Sequence, residues 1–86
     1  MRLIYSDRFL AESANLPRSV QTKLARLLDL LVVDPFHPLL HTKRLSGKLA
    51  ALYSFRITRD WRVIIMFELE DRIRLVKVGH RKDIYK

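Results

Sequence analysis

The sequence predicts an α+β fold, with an N-terminal strand and a helical hairpin packed on a mainly antiparallel, twisted sheet of four strands. Two observations carry this. Between residues 17 and 33, Val20, Leu24, Leu27, Leu28 and Leu31 recur at helical spacing. After residue 51, three runs instead alternate apolar and polar side chains and are separated by short turns.

Taken in order, Arg2-Leu3-Ile4-Tyr5 reads as an opening strand. Ser6 can cap a helix over 7–14, with Phe9, Leu10 and Ala14 offering its apolar side. Asn15-Leu16-Pro17 breaks that helix, and Pro17 suits the first turn of a second, spanning 17–33. Asp34-Pro35-Phe36-His37-Pro38 stops it, because two prolines cannot continue a helix. Residues 36–51 read as an irregular connection turning at Gly47. Strands follow at 52–58, 61–68 and 72–79.

Register in the first hairpin follows from parity. Tyr53, Phe55 and Ile57 share a face, as do Trp61, Val63, Ile65 and Phe67. Directly paired residues lie on one face of a sheet. A loop of Thr58-Arg59-Asp60 therefore pairs Ile57 with Trp61 and Arg56 with Arg62. It sets two guanidinium groups side by side on the face away from the helices, where they either share an anion or splay into water. Ile73, Leu75 and Lys77 have one parity in the last strand, and Arg74, Val76 and Val78 the other. Both of its faces look partly buried, so it reads as an interior strand whose register the pattern leaves open.

The 86 residues are expected to form one small domain, 1–86. A domain of this size buries roughly 60% of its unfolded surface and is marginally stable. There is no cysteine, so disulfides and thiolate chemistry are excluded, in keeping with a cytoplasmic protein. No apolar run is long enough to span a membrane, and the N-terminus lacks a signal-peptide core. The net charge of +8 is uneven. Residues 1–35 carry five basic and four acidic side chains, whereas residues 36–86 carry twelve and five. A basic half on a small domain is the footprint of a polyanion binder.

The chemistry-bearing residues cluster late. Gly79-His80-Arg81-Lys82-Asp83-Ile84-Tyr85 gathers an imidazole, a guanidinium and a phenol. An imidazole can take or give a proton near neutral pH. A guanidinium fork suits phosphate, and a phenol can stack or join proton transfer. This set suits RNA cleavage by side chains alone, with no cofactor and no metal. His37 and His41, with no cysteine or carboxylate cluster nearby, read as loop residues rather than metal ligands. Lys43, Arg44, Lys48, Lys77 and Lys82 are candidates for contact with RNA backbone.

The order of these features is itself informative. A strand and a helical hairpin lead into a Pro-containing connection ending in Lys43-Arg44-Leu45-Ser46-Gly47. Strands with Trp61-Arg62-Val63-Ile64-Ile65 and the 79–85 tail complete the set. Nearly the whole chain thus resembles the RelE/ParE superfamily of bacterial toxins. The resemblance implies the toxin of a type II toxin–antitoxin system, held with its cognate antitoxin in a hetero-oligomeric complex. RelE-like members cut mRNA in the ribosomal A site without a metal, by attack of the ribose 2′-OH that leaves a cyclic phosphate. ParE-like members instead poison DNA gyrase and catalyse nothing. The RelE-like branch, a ribosome-dependent endoribonuclease, is the favoured expectation. It maps catalytic roles onto Arg56, Arg62, Arg81 and Tyr85, with His80 at a position where other members carry Lys or His. The chain departs from the pattern at Ser54, where many RelE-like members carry lysine.

Overall fold

Residues 1–85 are described by a computed structural model. The opening strand β1 (Arg2–Tyr5) runs into Ser6, whose extended backbone and side chain begin helix α1 (Asp7–Ala14). The Ser6 hydroxyl accepts the Phe9 N–H at 2.9 Å, satisfying one of the helix's unpaired amides. Of the expected apolar side only Phe9 is buried; Leu10 and Ala14 are exposed. Leu10 and Ala14 lie about 100° and 140° around the helix from Phe9, off the side that meets the sheet. Pro17 lies just outside α2 (Arg18–Val33) rather than within its first turn. The expected face is correct: Val20, Leu24, Leu27 and Leu31 are buried and Leu28 is half-buried. Gln21 ties the hairpin shut by donating from its side-chain amide to the carbonyls of Ser13 and Ala14 at the end of α1.

The sheet has five strands where four were expected. The additional one, β2 (Lys43–Arg44), lies inside the connection read as irregular. It follows a short 3₁₀ turn over Pro38–Leu40 and precedes another over Gly47–Leu49. Two charged residues carry no strand periodicity, so nothing local announces this element. The remaining strands are β3 (Tyr53–Arg56), β4 (Trp61–Glu68) and β5 (Arg72–His80), and the sheet order is β1-β5-β4-β3-β2. Only β1 and β5 pair in parallel; the other pairs are antiparallel.

The first hairpin has the register that parity requires. Arg56 pairs with Arg62, and the Ile57 N–H donates to the Trp61 carbonyl at 2.9 Å. β5 is interior, as its two partly buried faces suggested, and a β-bulge explains their mixed parity. Ile64 pairs with Lys77 while Ile65 pairs with Leu75, so Val76 is the extra residue. The bulge lets Ile73, Leu75 and then Val78 all reach the helix side of the sheet, where each is buried. The core lies between this face and the helices, around Phe55, Val63, Ile65, Leu31 and Leu40. Burying one such aliphatic or aromatic side chain contributes about 1.5–3 kcal/mol.

Candidate active site

The face of the sheet turned away from the helices is where the late basic residues meet. Alternation places Lys43 on β2, Ser54 and Arg56 on β3, Arg62 and Ile64 on β4, and Lys77 and Gly79 on β5 on this face. Arg56 and Arg62 are direct cross-strand neighbours. Like charges so placed are unfavourable without an anion between them.

Among the described residues, Glu68 and Asp60 are both engaged by other arginines. Glu68 is engaged by Arg74, whose Nε donates to it at 2.7 Å, and by Arg72 at 3.9 Å. The hydrogen bond from Arg74 is the largest cause holding the Glu68 carboxyl below its ordinary range; the charges of Arg74 and Arg72 add to it against the opposing effect of burial. Asp60 is engaged by Arg81 at 3.3 Å. Arg62 donates from one terminal nitrogen to the Arg59 carbonyl at 3.3 Å. Its Nε is buried and, among the described residues, has no hydrogen-bond partner. A buried donor left unpaired costs about 1–3 kcal/mol, so its retention at this point needs a reason.

The tail is laid across this face by a chain of contacts. The Arg81 N–H donates to the Asp60 carbonyl at 2.7 Å, clamping the end of β5 to the β3–β4 turn. The amides of Asp83 and Ile84 then both donate to the His80 carbonyl at 2.9 Å, which coils the segment into a single turn. Ile84 is buried over Gly79; a Cβ at that glycine would stand 3.4 Å from the Ile84 Cδ1. Ile64, on the same face, is also buried. Tyr85 completes the crossing from β5 over β4 to β3, where its phenol donates to the Ser54 hydroxyl at 3.3 Å. Ser54 is the buried polar residue of the sheet, 2% exposed, and Lys43 is its cross-strand neighbour.

His80 stands apart from the arginines. It pairs with Trp61, and the two rings meet edge to face with centroids 5.4 Å apart. Trp61 alternates with Arg62, so this contact lies on the helix side of the sheet. The Lys82 N–H donates to the His80 Nδ1 at 3.2 Å. That bond uses the Nδ1 lone pair, which in a neutral ring places the proton on Nε2. The imidazole thus accepts the bond that shapes the start of the tail.

The other basic residues are distributed unevenly. Lys77 lies on the open face opposite Ile64, and Lys82 is exposed in the tail. Arg44 turns its Nε to the Ala50 carbonyl at 2.9 Å, bracing the connection. Lys48 sits in the Gly47–Leu49 turn. His37 uses Nδ1 to accept the Leu39 N–H at 3.1 Å and so starts the Pro38–Leu40 turn; His41 ends it in a left-handed conformation. Sequence reasoning missed the Lys43–Ser54 and Tyr85–Ser54 contacts. Both depend on partners far away in the chain, and the unusual serine was the only local sign of them.

No family model matches this chain, and no curated protein matches it. Twenty-six chains among solved structures do. YafQ from E. coli strain BL21(DE3) superposes with a TM-score of 0.82 at 18% identity, over 100% of both chains. The archaeal RelE-RelB complex from Pyrococcus horikoshii OT3 gives 0.78 at 22% identity, covering 95% of this chain and 96% of the other. A YoeB/ParE toxin from Agrobacterium tumefaciens gives 0.76 at 20%, covering 94% and 99%. Identities this low establish a shared fold and leave activity to the site.

Proposed function

We propose that this chain, which has the fold of the RelE/ParE superfamily of toxins, is a type II toxin that cleaves mRNA on the ribosome by attack of the ribose 2′-OH. The observation that carries the proposal is the Arg56–Arg62 pair, with its unpartnered buried Nε, on the face crossed by Tyr85. In the reaction the 2′-oxygen forms a bond to phosphorus as the bond to the 5′-oxygen breaks. The proton lost from the 2′-OH is matched by one gained at the leaving 5′-oxygen. The products are a 2′,3′-cyclic phosphate and a 5′-hydroxyl end.

Each residue has a part suited to its position. Arg56 and Arg62 hold the non-bridging oxygens as charge grows on them. Tyr85, fixed by Ser54, faces the same space and takes the proton-handling role. Lys43, across from Ser54, supplies the cation that a lysine at position 54 provides in RelE-like members. Arg81, oriented by Asp60, flanks the leaving group. His80 and Gly79 position the tail, and Lys77 and Lys82 extend the charged surface. An antitoxin is the partner, as in the RelE-RelB neighbour, and covers the basic face with acidic and apolar residues.

Single-turnover cleavage on programmed ribosomes tests this reading. Arg56→Ala and Arg62→Ala are each expected to slow cleavage by about 10²–10³-fold, the usual cost of a lost oxyanion donor. Ribosome binding is expected to change far less, and a chelator to leave cleavage unchanged while ribosomes stay intact. Full activity in the double variant would refute the site. Intact messages together with DNA breaks in cells expressing the wild type would refute the activity and favour gyrase.

A further inference from the structure

A second cluster of basic groups lies beyond the edge of β3. There β2 covers only Tyr53 and Ser54, so the edge is free by Arg56. The space beside it is a hollow of about 230 Å³, lined by Lys23 from α2, His41 and Leu39 from the connection, and Arg56, Ile57 and Arg59 from the hairpin. Among the described residues no acidic side chain lines it. Lys23, His41, Arg56 and Arg59 are all exposed, and among the described residues none of their side chains makes an ion pair or hydrogen bond. Elsewhere Arg8, Arg72, Arg74 and Arg81 each have a carboxylate. Ile57 is only 1% exposed and contributes an apolar wall. Low-dielectric walls concentrate the field of the surrounding cations.

Two features connect this hollow to the face above it. Arg56 belongs to both, as the cross-strand partner of Arg62 and as part of the hollow's lining. Arg59 lends its carbonyl to Arg62 and its side chain to the hollow. Two adjacent cationic sites sharing an arginine suit a ligand that repeats a negative charge at a short, regular interval. The backbone of single-stranded RNA has that property, with one phosphodiester per nucleotide. His41 is well chosen for the turn it occupies. Its φ of 51° is left-handed, a region that histidine and asparagine visit more readily than most residues.

Resting on the reading of this chain as an RNA-cleaving protein, we propose that Lys23, His41, Arg56 and Arg59 form a second phosphodiester subsite. It holds the phosphate next to the one cleaved and threads the RNA around the end of the sheet.

The test measures binding of 2′-O-methyl RNA, whose blocked hydroxyl prevents cleavage, by fluorescence anisotropy across a salt series. Lys23→Ala/Arg59→Ala is expected to weaken a tetranucleotide by about tenfold, the loss of a charge-assisted hydrogen bond. Its salt slope is expected to fall by about 0.7, the value of one phosphate on a single strand. A dinucleotide, with a single phosphate seated between Arg56 and Arg62, is expected to bind both proteins alike. Arg2→Ala/Arg18→Ala removes the same charge elsewhere and is expected to bind like wild type. His41→Asn preserves the turn and is expected to lose part of the tetranucleotide affinity. Circular dichroism confirms that each variant folds. Equal weakening by both double variants would overturn the subsite in favour of diffuse charge. Unchanged tetranucleotide binding in Lys23→Ala/Arg59→Ala, with Arg62→Ala still weakened, would overturn it while leaving the RNA reading intact. Wild type that fails to bind RNA yet binds a polyglutamate peptide through these residues would overturn both.

Discussion

Arg62 and Arg74 occupy the same face of one sheet and illustrate two uses of a guanidinium. Arg74 is satisfied by Glu68, whereas Arg62 keeps a buried nitrogen without a partner among the described residues, beside a second arginine. The first arrangement supports the fold, and its pH dependence follows from sign. The carboxyl of Glu68 is held below its ordinary range by the bond from Arg74. Its contribution is therefore present above the unfolded-state value and disappears as pH falls through the lower, folded value. Urea unfolding across the acid range is expected to show wild type more stable than Glu68→Gln above the ordinary carboxylate range, with the gap closing below it. A gap that stays constant with pH would contradict the pairing. His80 has a different character, since its Nδ1 receives the Lys82 amide. Asparagine can offer an acceptor to the same amide, so His80→Asn is expected to retain most cleavage while His80→Ala loses it. Equal loss in both, measured by single-turnover cleavage, would assign His80 the role of proton carrier instead.

At the scale of elements, what the sequence disclosed depended on how local its determinants are. The Arg56–Arg62 pairing was legible because Phe55, Ile57, Trp61 and Val63 must share a face, which the three-residue loop 58–60 preserves and a two-residue loop would reverse. The register of β5 was not, because the bulge at Val76 exchanges inward and outward positions midway along the strand. What stabilises that bulge comes from the far end of the chain. The Ser6 hydroxyl donates to the Val76 carbonyl at 2.7 Å while accepting the Phe9 amide, and the Ser6 amide donates to the Leu75 carbonyl at 3.1 Å. One small side chain thus caps α1 and satisfies the bulge. Ser6→Ala removes both hydroxyl bonds and is expected to cost about 1–2 kcal/mol. Chemical denaturation measures this directly, and a change of a few tenths of a kcal/mol would show the bulge to be self-supporting. The candidate site was legible to a similar degree. Arg56, Arg62, Arg81 and Tyr85 were singled out by hairpin parity, by their clustering in the tail and by the family resemblance. The contacts that place Tyr85 on Ser54 required knowing where the tail goes.

At the scale of the molecule, the formal charge of +8 is concentrated in residues 36–86, and the sheet gathers much of it onto its open face. The parallel pairing of β1 with β5 has a consequence for the timing of synthesis. Residue 2 aligns with residue 72, and the Ser6–Val76 bond spans 70 positions, so β1 waits for a strand made some 70 residues after it. Closing a loop of that length is entropically slow compared with forming the β3–β4 hairpin. A nascent chain can therefore build its helices and first hairpin on the ribosome while β1 remains unpaired. The tail that carries Arg81 and Tyr85 follows β5 directly, so the face acquires these groups only after that strand has emerged. A protein read as attacking translation thus has a topology that delays its own competence until β5 and the tail have been made.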